Sequence, residues 1–254
     1  MKNKSHFNEY AKFYDLVYEK KSHLKEILFI SKKLKINKNS TIIDLGCGTL
    51  RHSLYLLPKV KKILGIDLSR NMLKIAENKV NKKLLNKKIY LKKANITNFS
   101  TNKSFNTAYS LFDVICLLIK DNDIKKFFLN LYNHLKPGSL VYLDYWYKPA
   151  VHYLKIKDIK QKYENSDFKM VREKVQTMNK EKNYVNVIFK FHIYNKKNKK
   201  NHYFEERHPM RFFTTKDIEK FSKKYFITKQ HLSGYSNSKP SKKKWQASSI
   251  LIRK

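Results

Sequence analysis

An α/β fold built on a mostly parallel, doubly wound sheet is predicted by three features of the sequence. The apolar run Thr41-Ile42-Ile43-Asp44-Leu45 leads into Gly46-Cys47-Gly48-Thr49, which reads as a buried parallel strand followed by a sharp turn into a helix. A second apolar run, Lys62-Ile63-Leu64-Gly65-Ile66-Asp67, ends in a carboxylate 23 residues after Asp44. Strand-like and helix-like patterns then alternate as far as Asp144, as they do when parallel strands are joined by crossover helices.

Before the first strand, residues 5–35 interleave aromatic and charged positions at helical spacing. Phe7, Tyr10, Tyr14 and Tyr18 fall on one helix face, a stripe that plain core packing would explain. After the second strand, Lys88–Lys92 reads as a third, followed by Ala94-Asn95-Ile96. Phe105–Leu111 is a fourth, and Ser110-Leu111-Phe112-Asp113 lies at its C-terminal end, the edge where open parallel sheets bind ligands. Asp123–Leu135 is an amphipathic helix with Ile124, Phe127, Phe128, Leu131 and Leu135 on its apolar side, stopped by Pro137-Gly138. Ser139–Asp144 is the fifth strand.

The pattern then changes. Phe168–Met178, Tyr184–Tyr194 and Tyr203–Phe213 are β-rich runs joined by short polar connectors, so an antiparallel three-strand insertion is expected within residues 155–213. Thr214-Thr215-Lys216-Asp217 signals the N-cap of a helix running to about Lys224. Tyr225–Ser233 and Trp245–Ile252 complete a main sheet of seven strands, with a lysine-rich loop, Gly234–Lys244, between them. A single domain over residues 1–254 is expected.

The formal charge is +36 at pH 7. Such a charge favours polyanion partners and anionic substrates. Yet only six of the basic residues are arginine, the side chain that supplies bidentate phosphate and guanine contacts. The fifty lysines are spread along the whole chain beside many Asn and Ile, as compositional drift would leave them. Cys47 and Cys116 lie far apart in apolar segments, with no disulfide framework, which fits a reducing compartment. No stretch reaches the roughly 18 apolar residues needed to span a bilayer, so a cytoplasmic protein is expected. His202, Glu206 and His208 alternate along one strand, but no clear further ligand accompanies them and no metal is expected. No Ser-His-Asp order, P-loop or Cys/His zinc spacing is present.

Asp44-x-Gly46-x-Gly48-Thr49, with Gly65-Ile66-Asp67-Leu68-Ser69 and Met72-Leu73, resembles the first two motifs of class I S-adenosylmethionine-dependent methyltransferases. The resemblance implies a Rossmann-like sheet and S-adenosylmethionine as cofactor, cradled by Asp44, Gly46, Cys47 and Gly48. It implies that Asp67 holds the ribose diol beside Leu68 and Met72, that Asn95 and Ile96 meet the adenine, and that Ser110 closes the site at the fourth strand. The family has a third glycine where this chain has Leu50. Tyr10-Ala11-x-x-Tyr14-Asp15-Leu16-Val17-Tyr18 resembles the opening segment of small-molecule methyltransferases, which makes residues 1–35 a lid with Tyr14 over the cofactor.

The tyrosine-rich start, the strand-four motif, Asp144 followed by Trp146-x-x-Pro149, the insertion and Glu205-Glu206-x-His208 are similar to N-methyltransferases of nucleotide-linked amino sugars. The histidine that some of them carry past strand four is absent from Ile115-Cys116-Leu117-Leu118. Methyl transfer needs an aligned acceptor and a group to receive its proton. Strand alternation puts Glu206 and His208 on one face, and they are the candidate proton acceptors. Asp113, Trp146 and Arg211 are the candidate acceptor-binding residues. The expected function is methyl transfer to a small, anionic molecule such as a nucleotide-linked sugar. The rivals are an RNA or DNA methyltransferase and a cofactor-binding protein without catalysis.

Overall fold

A computed structural model describes residues 7–254 apart from 83, 84, 86 and 180. The seven predicted strands of the main sheet are β1 (Thr41–Leu45), β2 (Lys62–Asp67), β3 (Ile89–Lys93), β4 (Phe105–Ser110), β5 (Leu135–Trp146), β10 (Phe226–Leu232) and β11 (Gln246–Arg253). They lie in the order β10-β11-β5-β4-β1-β2-β3. The five strands from β5 to β3 are parallel, whereas β11 runs antiparallel to both β5 and β10. Parallel strands covered on both faces read as continuous apolar runs, and β1 is buried at every position after Thr41.

Helices cover both faces. The first, α1 (Ala11–Val17), belongs to the N-terminal segment, and α2 (His23–Lys33) packs Ile27 and Ile30 into the core beside Tyr142 and Ile250. Of the expected lid over residues 1–35, residues 1–6 lie outside the described residues, α2 packs on the sheet, and Phe7 and Asp15 of the segment before it meet Ser69 and Thr49 at the ligand edge. A short α3 (Ser53–Leu56) follows β1, and α4 (Arg70–Lys82) follows β2. The predicted helix before β5 is α5 (Asp121–His134), and β5 begins directly after it, running through Pro137-Gly138. A short helix absent from the sequence prediction, α6 (Lys148–Leu154), starts with proline in its first turn; the predicted capping signal opens α7 (Thr215–Ser222), where Thr214 and Asp217 form a reciprocal capping box. Among the described residues no helix is long and apolar enough to cross a membrane.

The insertion is a second, antiparallel sheet. Its three predicted strands are β7 (Phe168–Asn179), β8 (Tyr184–Asn195) and β9 (Lys200–Arg211), and a fourth, β6 (Ile159–Glu164), pairs with β7 at the edge. Every position of β6 except Tyr163 is exposed, so it has no apolar alternation to announce it. A small aromatic core joins this sheet to α1. Tyr10 and Phe13 pack there against Met170, Phe191 and Phe204, and the last two rings stack at 4.6 Å. Burying such a side chain contributes about 1.5–3 kcal/mol, enough for a handful to hold a short helix that has little stability alone.

Leu50 explains the family's third glycine. Its φ is +65° and its side chain is fully buried, with its N–H bonded to the Cys47 carbonyl at 2.9 Å. The turn demands a left-handed residue, which costs a non-glycine residue roughly 1–2 kcal/mol, and the buried isobutyl group offsets that cost. Leu50→Gly is therefore expected to be more stable than Leu50→Ala by about 1 kcal/mol in urea unfolding, the reverse of the usual order in a helix. Both variants should fall below the parent protein because the leucine leaves a cavity. An alanine variant as stable as the glycine variant would contradict the strained turn.

Candidate active site

The glycine turn sits on the C-terminal edge of β1. Gly46 and Cys47 donate to the Ile66 carbonyl at 2.8 and 2.9 Å, and Gly48 N–H donates to Asp67 Oδ2 at 2.8 Å. Gly46 has φ +77°, and a Cβ there would lie 2.5 Å from Val114 Cγ2, so both conformation and space require glycine. The second oxygen of Asp67 accepts the Ser69 N–H at 2.8 Å. Burial raises the Asp67 carboxyl above its ordinary range, against the pull of these N–H groups.

Asp44 lies under the turn. Burial is the main cause that pushes its carboxyl up to about 7, Asp67 adds to it, and the Ser53 hydroxyl donating at 2.6 Å works the other way. A small cavity above Asp44 and the turn is lined by Tyr14, His23, Arg51, His52, Leu111 and Phe112. Burial, then His52 and Arg51, push the His23 imidazole down to about 4, so the ring is neutral. Its Nδ1 bonds the Lys21 carbonyl at 2.8 Å, which leaves Nε2 as a buried acceptor without a partner. This donor and acceptor set fits the expected cofactor. Asp44 and His23 present acceptors for an ammonium, Asp67 keeps lone pairs for a diol, and the exposed Leu68 offers an apolar contact beside it.

Residues 7–22 cross this cavity as a strap fastened at both ends. At one end the Asp15 carboxylate accepts Thr49 Oγ1 at 2.7 Å, Arg51 Nη1 at 3.2 Å and Lys79 Nζ at 2.5 Å. Burial opposes the charge, but Lys79, Thr49 and Arg51 together hold its carboxyl below the usual range. At the other end Glu206, on β9, accepts the backbone N–H groups of Phe7 and Tyr10 at 2.9 and 3.0 Å. His208 Nε2 lies 3.1 Å from the same carboxylate, and these partners outweigh burial to hold it below the usual range. Tyr14 stands between the two fastenings, its ring 5.8 Å from those of Phe7 and Tyr10; burial first, then Tyr18 and Asp67, raise its phenol.

The end of β4 makes the neighbouring wall. Phe112 and Asp113 both have left-handed backbones, φ +66° and +61°, and their N–H groups donate to the two oxygens of Asp144 at 2.9 and 2.8 Å. Trp146 Nε1 donates to Asp113 Oδ2, and Gln246 Nε2 to Asp113 Oδ1, each at 3.0 Å. The ring of Phe112 stacks on His23 at 5.6 Å and lies 3.5 Å below Lys21 Nζ. Overhead, β7 turns Arg172 inward, where Nη1 donates to Tyr10 Oη at 2.9 Å; Lys174 is two residues along. Neither cation has a carboxylate within ion-pair distance among the described residues.

The structure gathers Tyr14, Asp44, Gly46, Cys47 and Gly48 around one cavity, ties Asp67 to its turn through Gly48, and divides the remaining candidates. Glu206 and His208 are together, the histidine buried and the carboxylate half-buried, but the Glu206 carboxylate is engaged as the strap's anchor. Trp146 joins Asp113 in a separate cluster. Arg211 departs from its expected role: it bonds the Ile119 carbonyl and Asp121 at 2.9 and 2.6 Å and so braces β9 against the start of α5. Asn95 is exposed, with its side-chain oxygen taken by Thr97 at 3.0 Å, and Ile96 packs into the core. Met72 is buried, and the buried Ser110 hydroxyl has no partner. His23, Lys21, Arg172 and Gln246 were missed because none stands in a local motif; only the tertiary fold brings His23 to the cavity, Lys21 over Phe112, Arg172 to Tyr10 and Gln246 to Asp113. Among the described residues no group of three or more His, Cys, Asp or Glu could hold a metal ion.

Residues 42–138 match the family described as "Methyltransferase domain". A protein of Geobacillus sp. that is named a methyltransferase is 26% identical over 141 residues, 54% of this chain and 56% of its own length. The chain spans about half the length of the curated relatives it matches, or less. Among solved structures, an S-adenosylmethionine-dependent methyltransferase from Clostridium acetobutylicum superposes with a TM-score of 0.81 at 25% identity, covering 96% of this chain and 98% of that one. The sugar N-methyltransferase KedS8 from Streptoalloteichus sp. shares the fold, with a TM-score of 0.78 at 16% identity over 95% and 92% of the two chains.

If Glu206 anchors the strap, Glu206→Ala should loosen residues 7–18 while leaving the sheet intact. A hydrogen bond to a charged group contributes about 1.5–3 kcal/mol, so amide hydrogen exchange in that segment is expected to speed up by roughly 10- to 100-fold. Unchanged exchange there would mean that the aromatic core alone holds the strap.

Proposed function

With residues 42–138 forming a methyltransferase domain of the S-adenosylmethionine-dependent class, we propose that the chain is an enzyme transferring the methyl group to a small, anionic acceptor bound beneath the second sheet. The observation that carries this reading is the strap fastened at both ends across the cofactor turn, by Asp15 to Thr49 and by Glu206 to Phe7 and Tyr10. It covers the turn, which suits an acceptor of modest size. A polymer chain would have to displace the strap to reach the turn. Arg172 and Lys174, inward-facing and without carboxylate partners, favour an anion, and burial lowers the Lys174 ammonium from its ordinary value. A nucleotide-linked sugar fits that description, and KedS8, which shares the fold, is named a sugar N-methyltransferase.

The protein's part in the chemistry is alignment and exclusion of water. The bound cofactor supplies an electrophilic methyl on a sulfonium. Asp44 and His23 would hold its ammonium, Asp67 its ribose, and Tyr14 would close over it. Transfer is tested by incubating the protein with methyl-labelled S-adenosylmethionine and, separately, UDP-glucosamine, glucosamine and total RNA. Label on the sugar nucleotide, with much less on the neutral-backbone sugar and none on RNA at physiological salt, is the expected result. Salt-resistant labelling of RNA would favour the nucleic-acid reading, since contacts made only to phosphates lose about 10³-fold or more in affinity between 50 and 200 mM salt. Cofactor binding with no labelling of any acceptor would favour a binding protein.

Asp44 makes cofactor affinity depend on pH. Its carboxyl titrates near 7 in the free protein, and a bound cation favours the ionised form. Affinity is therefore expected to rise by up to about tenfold per pH unit from pH 5 to 7 and then level off. Asp44→Asn should remove that slope. Calorimetric titrations at several pH values would show it, and a flat wild-type profile would contradict the arrangement.

A further inference from the structure

Resting on the methyltransferase reading, we propose that Asp113 is the catalytic residue that takes the proton from the methyl-accepting group, and that Asp144 is its positioning residue. Asp113 lies at the C-terminal edge of β4, directly after Leu111 and Phe112, which line the cofactor cavity. It remains partly accessible, whereas Asp144 is fully buried, so Asp113 is the member of the pair that an acceptor can reach. Two consecutive left-handed residues are strained and persist only where surrounding structure over-determines them. Here both N–H groups are tied to the Asp144 carboxylate, whose Oδ2 also accepts the Tyr235 hydroxyl.

The carboxylate of Asp113 is oriented without being spent. One neutral N–H reaches each oxygen, from Trp146 and Gln246, which fixes the plane and leaves lone pairs on both. Among the described residues no cation lies within ion-pair distance of it, and Lys21, above Phe112, is paired with Glu26 at 3.0 Å. Asp144 and Cys116 face Asp113 from the sheet side, Lys21 from the strap and Lys174 from β7, while Arg211 stands beyond Cys116. Burial first, and Asp144 second, push its carboxyl up to about 7. A base is most effective when its pKa lies near the working pH. Glu206, with three donors and a depressed pKa, is a weaker base by the same argument.

In the step, the neutral acceptor nitrogen forms a bond to the methyl carbon as the carbon–sulfur bond breaks, and the electron pair of that bond stays on sulfur. The nitrogen's proton passes to Asp113, which becomes a neutral carboxylic acid and returns the proton to solvent.

The test uses the full chain, methyl-labelled S-adenosylmethionine and UDP-glucosamine. Asp113→Asn is expected to lower kcat by roughly 10²–10⁴-fold with S-adenosylmethionine affinity within about threefold of the parent, which also reports correct folding. Gln246→Leu removes one donor to the carboxylate, so it should move the acid limb of the kcat profile to higher pH. The acceptor's own ammonium also titrates, but its limb would stay in place. An Asp113→Asn enzyme with parental kcat, or an acid limb unmoved in Gln246→Leu, overturns the assignment. If the parent protein labels no acceptor, the methyltransferase reading fails first. The Asp113 proposal is then judged by carboxyl NMR of the ¹³C-aspartate protein, where a midpoint below about 5 overturns it.

Discussion

The hydrogen bond from Gly48 N–H to Asp67 Oδ2 is the contact on which the upper half of the molecule depends. It ties the turn after β1 to the end of β2, strands that already pair in parallel register from Thr41 with Lys62 to Leu45 with Ile66. That tie holds Asp67 beside the turn that lines the cavity. It also sets where the strap can dock, because the Ser69 hydroxyl beside Asp67 bonds the Phe7 carbonyl at 2.7 Å and Thr49 beside Gly48 meets Asp15. The second sheet is in turn held to the strap by Glu206 and the aromatic core. The site is thus a chain of dependent contacts, from turn to strap to cover.

The site keeps carboxylates where a stability-optimised protein would not. Asp44, Asp113 and Asp144 all lie in surroundings that raise their pKa, and none has an ion-pair partner among the described residues. Groups whose pKa is raised on folding take up protons in the native state, so their contribution to stability declines as pH climbs from about 4 through 7. Such a cost is tolerated where the groups act on something absent from the free protein. A cationic cofactor above Asp44 and an acceptor beside Asp113 would each relieve it.

Much of this was legible in the sequence, for a physical reason. Strands buried on both faces are continuous apolar runs, so β1, β2, β4 and β5 were visible, and Gly46 marked the turn because a side chain there would strike Val114. Leu50 shows the limit: its left-handed backbone is invisible in a leucine, and the departure from the family's glycine could be noted but not explained. The exposed strand β6 carries no periodicity. Glu206 and His208 were rightly placed on one face, but a strand pattern cannot say that the face meets the backbone of Phe7 and Tyr10, some 200 residues away in sequence. Likewise His23 reads as an ordinary helical residue, and only the fold shows it lining the cavity with its buried Nε2 left without a partner.

The central claim is that the glycine turn, Asp67 and the strap together form a site for S-adenosylmethionine. Equilibrium dialysis of the full chain with methyl-labelled S-adenosylmethionine tests it most directly. The account predicts saturable binding of one molecule per chain, displaced by S-adenosylhomocysteine but not by ATP or NAD. Absence of saturable binding, or displacement by ATP or NAD as readily as by S-adenosylhomocysteine, would contradict it.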